Sequence, residues 1–68
     1  MPAQPLLLSE IIIGNPQIDS FYDLLVAVRR RAEVRDRIFL DMDLKPDFAD
    51  TPRNWAFQLE DAFTGGAR

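Results

Sequence analysis

Across residues 16–44 the apolar positions repeat every seven residues. One row holds Ile18, Leu25, Ala32 and Phe39, and the other holds Phe21, Val28, Arg35 and Met42. Arg35 is the one polar member. Leu24 and Ile38 flank the rows and make the stripe wider than a two-stranded seam, as a helical bundle needs. Asn15 and Pro16 offer an N-cap and a first helical residue. Pro46 forbids helix beyond Lys45. The pattern predicts one long amphipathic helix over residues 16–44. Arg29 with Glu33, and Glu33 with Arg37, are spaced to support it.

A second period competes in the latter half. Ile38, Leu40, Met42 and Leu44 alternate with Phe39, Asp41 and Asp43, as on a half-buried strand. That reading needs a turn over residues 34–37, which contain no Gly, Pro, Asn or Ser. The continuous helix is therefore preferred.

Residues 6–13 hold two apolar triplets, Leu6-Leu7-Leu8 and Ile11-Ile12-Ile13, around Ser9 and Glu10. Three isoleucines favour a strand. A helix instead gathers Leu7, Leu8, Ile11 and Ile12 on one side, with Pro5 and Gly14 as punctuation. The segment is a short helix or a strand, with helix preferred. Residues 45–50 form a connector from which Phe48 turns back to the core. A second helix is expected over residues 51–63, with Thr51 as N-cap and Pro52 at its first position. Trp55, Leu59, Ala62 and Phe63 share one face. Gly65 and Gly66 should end this helix, Gly65 in the left-handed cap.

The expected fold is mainly α: a long and a shorter helix in a hairpin, with an N-terminal short helix or strand docked on it. The alternative is an α+β fold of βαβα order, with residues 6–13 and 38–44 as strands. Either is one small domain spanning residues 1–68, with residues 1–4 and 66–68 as flexible tails. The continuous reading places roughly 60% of residues in helix.

Composition changes the picture by what it withholds. A chain of 68 residues buries a modest core. It has no Cys and no His, so disulfides, thiolate metal sites and the commonest general base are excluded. Association is the remaining usual route to a sufficient core. The seam from Ile18 to Met42 would be ~36 Å long and the second helix only ~18 Å. The uncovered half predicts a homodimeric bundle. Its interface would use Phe21, Leu25, Val28, Ala32, Arg35, Phe39, Met42 and Trp55. Arg35 would then need an acidic partner, with Asp36 or Asp43 as candidates.

Net charge is −3, from eight basic and eleven acidic residues, which argues against a dedicated nucleic-acid binder. No apolar run approaches the ~20 residues of a membrane span, and no secretory signal is visible near Met1. A soluble cytoplasmic protein without membrane contact is expected.

Three clusters could carry chemistry. Arg29, Arg30, Arg31, Arg35 and Arg37 are the densest basic group, but Glu33 and Asp36 interrupt them and a helix would splay them. Asp41 and Asp43, with Asp47 and Asp50 beyond, could hold Mg²⁺ beside a phosphate. No phosphate loop or base accompanies them, and a solvated helix end is the simpler reading. Phe21, Tyr22, Phe39, Phe48, Trp55, Phe57 and Phe63 suit a core or a dimer interface as well as a groove. Pro2 would become an N-terminal proline once Met1 is removed, a group some tautomerases use as a base. That resemblance stops at the residue and the chain's size.

The segment Phe48-Ala49-Asp50-Thr51-Pro52-Arg53-Asn54-Trp55 is similar to the toxin-wrapping tail of plasmid-type ribbon-helix-helix antitoxins. The similarity covers eight residues. The N-terminal half departs from that family, lacking its short basic strand followed by two short helices, and no role is carried over.

The function expected is a small non-enzymatic protein–protein interaction module: a dimeric adaptor, regulator or accessory subunit. No cofactor, metal or catalytic residue is assigned. The alternative is a DNA-binding regulator or antitoxin using the Arg29 to Arg37 cluster.

Overall fold

The computed structural model describes residues 4–37 and 39–67. Pro2 and Ile38 lie outside these. The elements run β1 (Leu6–Leu7), α1 (Leu8–Gly14), α2 (Phe21–Ala32), β2 (Leu40–Asp41) and α3 (Trp55–Ala67).

The long helix is the main correction. Helix occupies only Phe21–Ala32 of the expected stretch. Its start is set by side chains rather than by Pro16. The Asn15 amide donates to the Ile11 carbonyl at 2.7 Å, so Asn15 closes α1 instead of opening α2. Pro16 and Gln17 form a turn closed by the Ile18 N–H on the Asn15 carbonyl at 3.0 Å. Ser20 is the N-cap, its hydroxyl accepting from the Asp23 N–H at 3.1 Å.

The end of α2 is a tightening turn. The Glu33 N–H is shared between the Arg29 and Arg30 carbonyls, both at 3.2 Å. Val34 then donates to Arg31 at 3.3 Å and Arg35 to Ala32 at 3.0 Å. The bonds thus pass from four residues back to three, as at many helix ends. Arg35 follows in the left-handed region, φ 61°. That position usually takes Gly, and a side chain there costs about 1–2 kcal/mol.

The offset comes from what the reversal delivers. It brings Leu40–Asp41 alongside Leu6–Leu7 as a parallel pair, Leu6 opposite Leu40 and Leu7 opposite Asp41. The Leu6 N–H donates to the Phe39 carbonyl at 3.0 Å, and Leu6 is fully buried. The period-two reading was therefore the correct one around residue 40. Leu40 and Met42 pack on the core while Asp41 is exposed.

The N-terminal segment is strand and helix in turn. Leu6–Leu7 pairs with β2, and Leu8–Gly14 coils directly after it. Leu8 and Ile11 are buried, while Ile13 is 79% exposed.

α3 starts three residues later than expected. The Thr51 hydroxyl accepts from the Phe48 N–H at 3.0 Å, which locks the connector instead of capping the helix. Residues 65 and 66 are helical, and neither has a positive φ. Gly66 is instead a packing residue. A Cβ there would lie 2.3 Å from the Arg29 carbonyl oxygen and 3.0 Å from Ala32 Cβ. The last turns of α2 and α3 therefore meet nearly backbone to backbone.

At the other end Asp50, just before α3, binds the first turn of α2. The two helices accordingly run side by side in the same direction. The expected hairpin is corrected: the antiparallel return is made by residues 33–54, which carry the chain back past β1. The result is a mixed α/β fold, about half helical, in which the described residues form three helices and a two-stranded parallel sheet. Leu6, Leu8, Ile11, Phe21, Leu24, Val28, Ala32, Leu59 and Phe63 form one core. Trp55 and Phe48 pack against its edge, as their positions in the sequence suggested.

Candidate interaction surface

The residues expected at a dimer seam separate in three dimensions. Phe21, Val28 and Ala32 face inward and are consumed by the chain's own core. Leu25, Met42 and Trp55 are half-buried around it. Arg35 is exposed in the turn after α2, and Phe39 is 51% exposed beside β2. The seam itself does not exist as a continuous face, because its two halves belong to a helix and a strand.

A different apolar surface lies on the outer side of the two parallel helices. Tyr22, Leu25, Val26 and Arg29 of α2 line a groove with Phe57, Gln58, Asp61 and Ala62 of α3. Each set is spaced by three or four residues, so each comes from one helical stripe. Tyr22 is 68% exposed and Phe57 70%. A second groove lies across α2, lined by Ile18, Ala27 and Arg30 together with the same Tyr22 and Val26. Tyr22 and Val26 thus form a ridge with a groove on either side. Tyr22 and Phe57 were visible in the sequence as aromatics off the buried stripe. The assumed 29-residue heptad drew attention to the inward row instead.

Electrostatics account for two of the four clustered aspartates. Asp43 and Asp50 do not sit at a helix C-terminus, where they would oppose the dipole. They lie at helix N-termini, where negative charge is favoured. Asp50 accepts from the N–H groups of Phe21 at 2.6 Å and Tyr22 at 3.2 Å. Asp43 accepts from the Ser9 N–H at 3.0 Å and from the Ser9 hydroxyl. The Phe21 N–H bond, then that from Tyr22, holds the Asp50 carboxyl below its ordinary range. The Ser9 hydroxyl, then its N–H, does the same for Asp43. These carboxylates stitch the return segment to α1 and α2. The Asp43 carboxylate is thus already engaged by Ser9, which competes with the Mg²⁺ reading of Asp41 and Asp43. Among the described residues no group of three carboxylates is placed to hold a metal ion.

The arginines are similarly dispersed. Arg31 makes a two-pronged ion pair with Asp36, at 2.7 and 3.1 Å. This contact lowers the Asp36 carboxyl and raises the Arg31 guanidinium. Arg37, expected to meet Glu33 along a helix, instead reaches Glu10 at 3.5 Å, Asp36 at 3.6 Å and the Pro5 carbonyl at 2.9 Å. Arg29 lies over Gly65 on the groove side.

Among the described residues no helix is long and apolar enough to cross a membrane. No protein-family model matches the chain, and no curated protein or solved structure matches it either.

Proposed function

We propose that the chain is a small non-enzymatic protein–protein interaction module, a dimeric adaptor, regulator or accessory subunit, and that the outer face of α2 and α3 is its working surface. One observation carries the reading. Tyr22 and Phe57 stand mostly exposed on either side of a groove floored by half-buried Leu25, Val26 and Ala62. Exposed aromatics around an apolar groove are the anchors that interfaces favour. Arg31 and Arg37 of the basic cluster are paired with Asp36 and Glu10, which favours protein binding over a DNA-binding role.

The test is comparative affinity capture from the native host with the unmodified chain and with Tyr22→Asp/Phe57→Asp. The reading expects a defined protein retained by the first and lost by the second, at equal helical content. Equal retention by both forms would contradict it. So would a salt-dependent shift of duplex DNA that ignores both substitutions and is still present at ~50 mM salt.

A further inference from the structure

We infer that the occupant of the α2/α3 face is a second copy of the chain, paired about a two-fold axis that runs roughly along the helices. This rests on the reading above and names the partner at that same surface.

The shape is self-complementary. The Tyr22–Val26 ridge lies beside the groove between α2 and α3. Helices pack by seating ridges in grooves. A two-fold axis placed between ridge and groove puts each copy's ridge into the other's groove, since such interfaces repeat every contact twice. Tyr22 then meets Phe57 of the partner subunit.

The charges are self-complementary too. The same groove carries one cation, Arg29, from α2 and one anion, Asp61, from α3. With α2 seated in the partner's groove, Arg29 approaches Asp61 of the partner subunit, and the pair occurs twice. The reach is available. The Arg29 guanidinium already lies over Gly65, one helical turn beyond Asp61 on the same stripe of α3. A partner of a single charge would answer only one of these two groups. A second copy answers both.

The extent fits a modest interface. Two helices side by side present ~18 Å by ~20 Å. That is ~360 Å² from each copy, below the ~1,000 Å² total that stable interfaces clear, so weak pairing in the tens of micromolar is expected. This dimer differs from the one the heptad suggested. It leaves Phe21, Val28 and Ala32 inside each copy and places Arg35 outside the contact.

Sedimentation equilibrium of the purified full chain decides the matter. The unmodified chain should report a dimer at ~100 μM, dissociating with a constant in the tens of micromolar. Tyr22→Asp should report a monomer with an unchanged far-UV spectrum, since its side chain is mostly exposed. Arg29→Glu and Asp61→Arg should each weaken pairing ~10-fold or more, and their combination should recover to within ~3-fold of the unmodified chain. A monomer at ~500 μM, well above a constant in the tens of micromolar, would overturn the inference on the unmodified chain alone. A dimer in which the charge exchange fails to rescue would overturn it as well. Either failure concerns self-pairing only, because the capture comparison judges the interaction surface separately.

Discussion

Residues 21–32 and 33–44 carry the same heptad, yet the first folds as helix and the second as a turn and a strand. The difference lies in what each half can pack against. Phe21, Leu24, Val28 and Ala32 fall at intervals of three or four and are all buried. They meet α3 and the N-terminal segment within one chain. Continuing the helix would have carried Phe39 and Met42 about 10 and 15 Å beyond that core. Reversing at Arg35 returns Leu40 and Met42 to the core and completes the Leu6 pairing. A periodic pattern states which residues could share a face. It does not state that the face has anything to cover it.

The largest expected effect separates the two halves directly. Leu24→Ala should destabilise by about 2–5 kcal/mol, as its side chain is fully buried. Phe39→Ala, from the same heptad but half exposed, should cost much less. Chemical unfolding of both variants checks this. Equal losses would mean that the second half is packed like the first.

The adjacent glycines give a finer test of how α2 is held. Gly66→Ala should cost about 1–3 kcal/mol, because the new methyl meets the Arg29 carbonyl. Gly65→Ala meets only the tip of the Arg29 side chain, which can swing away. It should be neutral or stabilising by up to about 1 kcal/mol through helix propensity. Thermal melts that order the two the other way would break the close approach of α2 and α3.

The smallest effect concerns the carboxylates that tie the return segment down. Asp43 and Asp50 have folded pKa values below their ordinary ones. Their contribution is therefore present above about pH 4 and is lost as pH falls through the lower, folded value. The melting temperature should drop on acidification below about pH 4. Asp50→Ala should melt lower at pH 7 and decline less steeply in acid. An unchanged slope would detach Asp50 from the α2 N-terminus.

These contrasts also mark what the sequence could reveal. The inward row of α2 and the Leu59 and Phe63 face of α3 were legible, because local periodicity and packing agree there. The competing period at residues 40–42 was legible as well. It lost only because residues 34–37 lack the usual turn formers. Arg35 defeats that rule: a left-handed arginine is tolerated where tertiary pairing repays it. The start of α2 had a local signal, Ser20 with Asp23 three residues on, which the stronger-looking Asn15-Pro16 pair obscured. The capping carboxylates had none. Asp43 and Ser9 are 34 residues apart, and Asp50 and Phe21 are 29 apart. Gly66 looked like a stop signal, since helix ends and helix contacts select Gly for different reasons. Of the candidate surface, the aromatic residues could be named, but which of them stay exposed depended on where the helix ends.

The central claim is that the chain leaves the helix after Ala32 and turns through a left-handed Arg35. Comparing the unfolding free energies of Arg35→Gly and Arg35→Ala tests it most directly, because both remove the same side-chain interactions. Left-handed geometry at position 35 predicts that Arg35→Gly is the more stable of the two by about 1 kcal/mol. A helix continuing through position 35 requires the opposite order by a similar amount. Arg35→Ala proving the more stable would contradict the account.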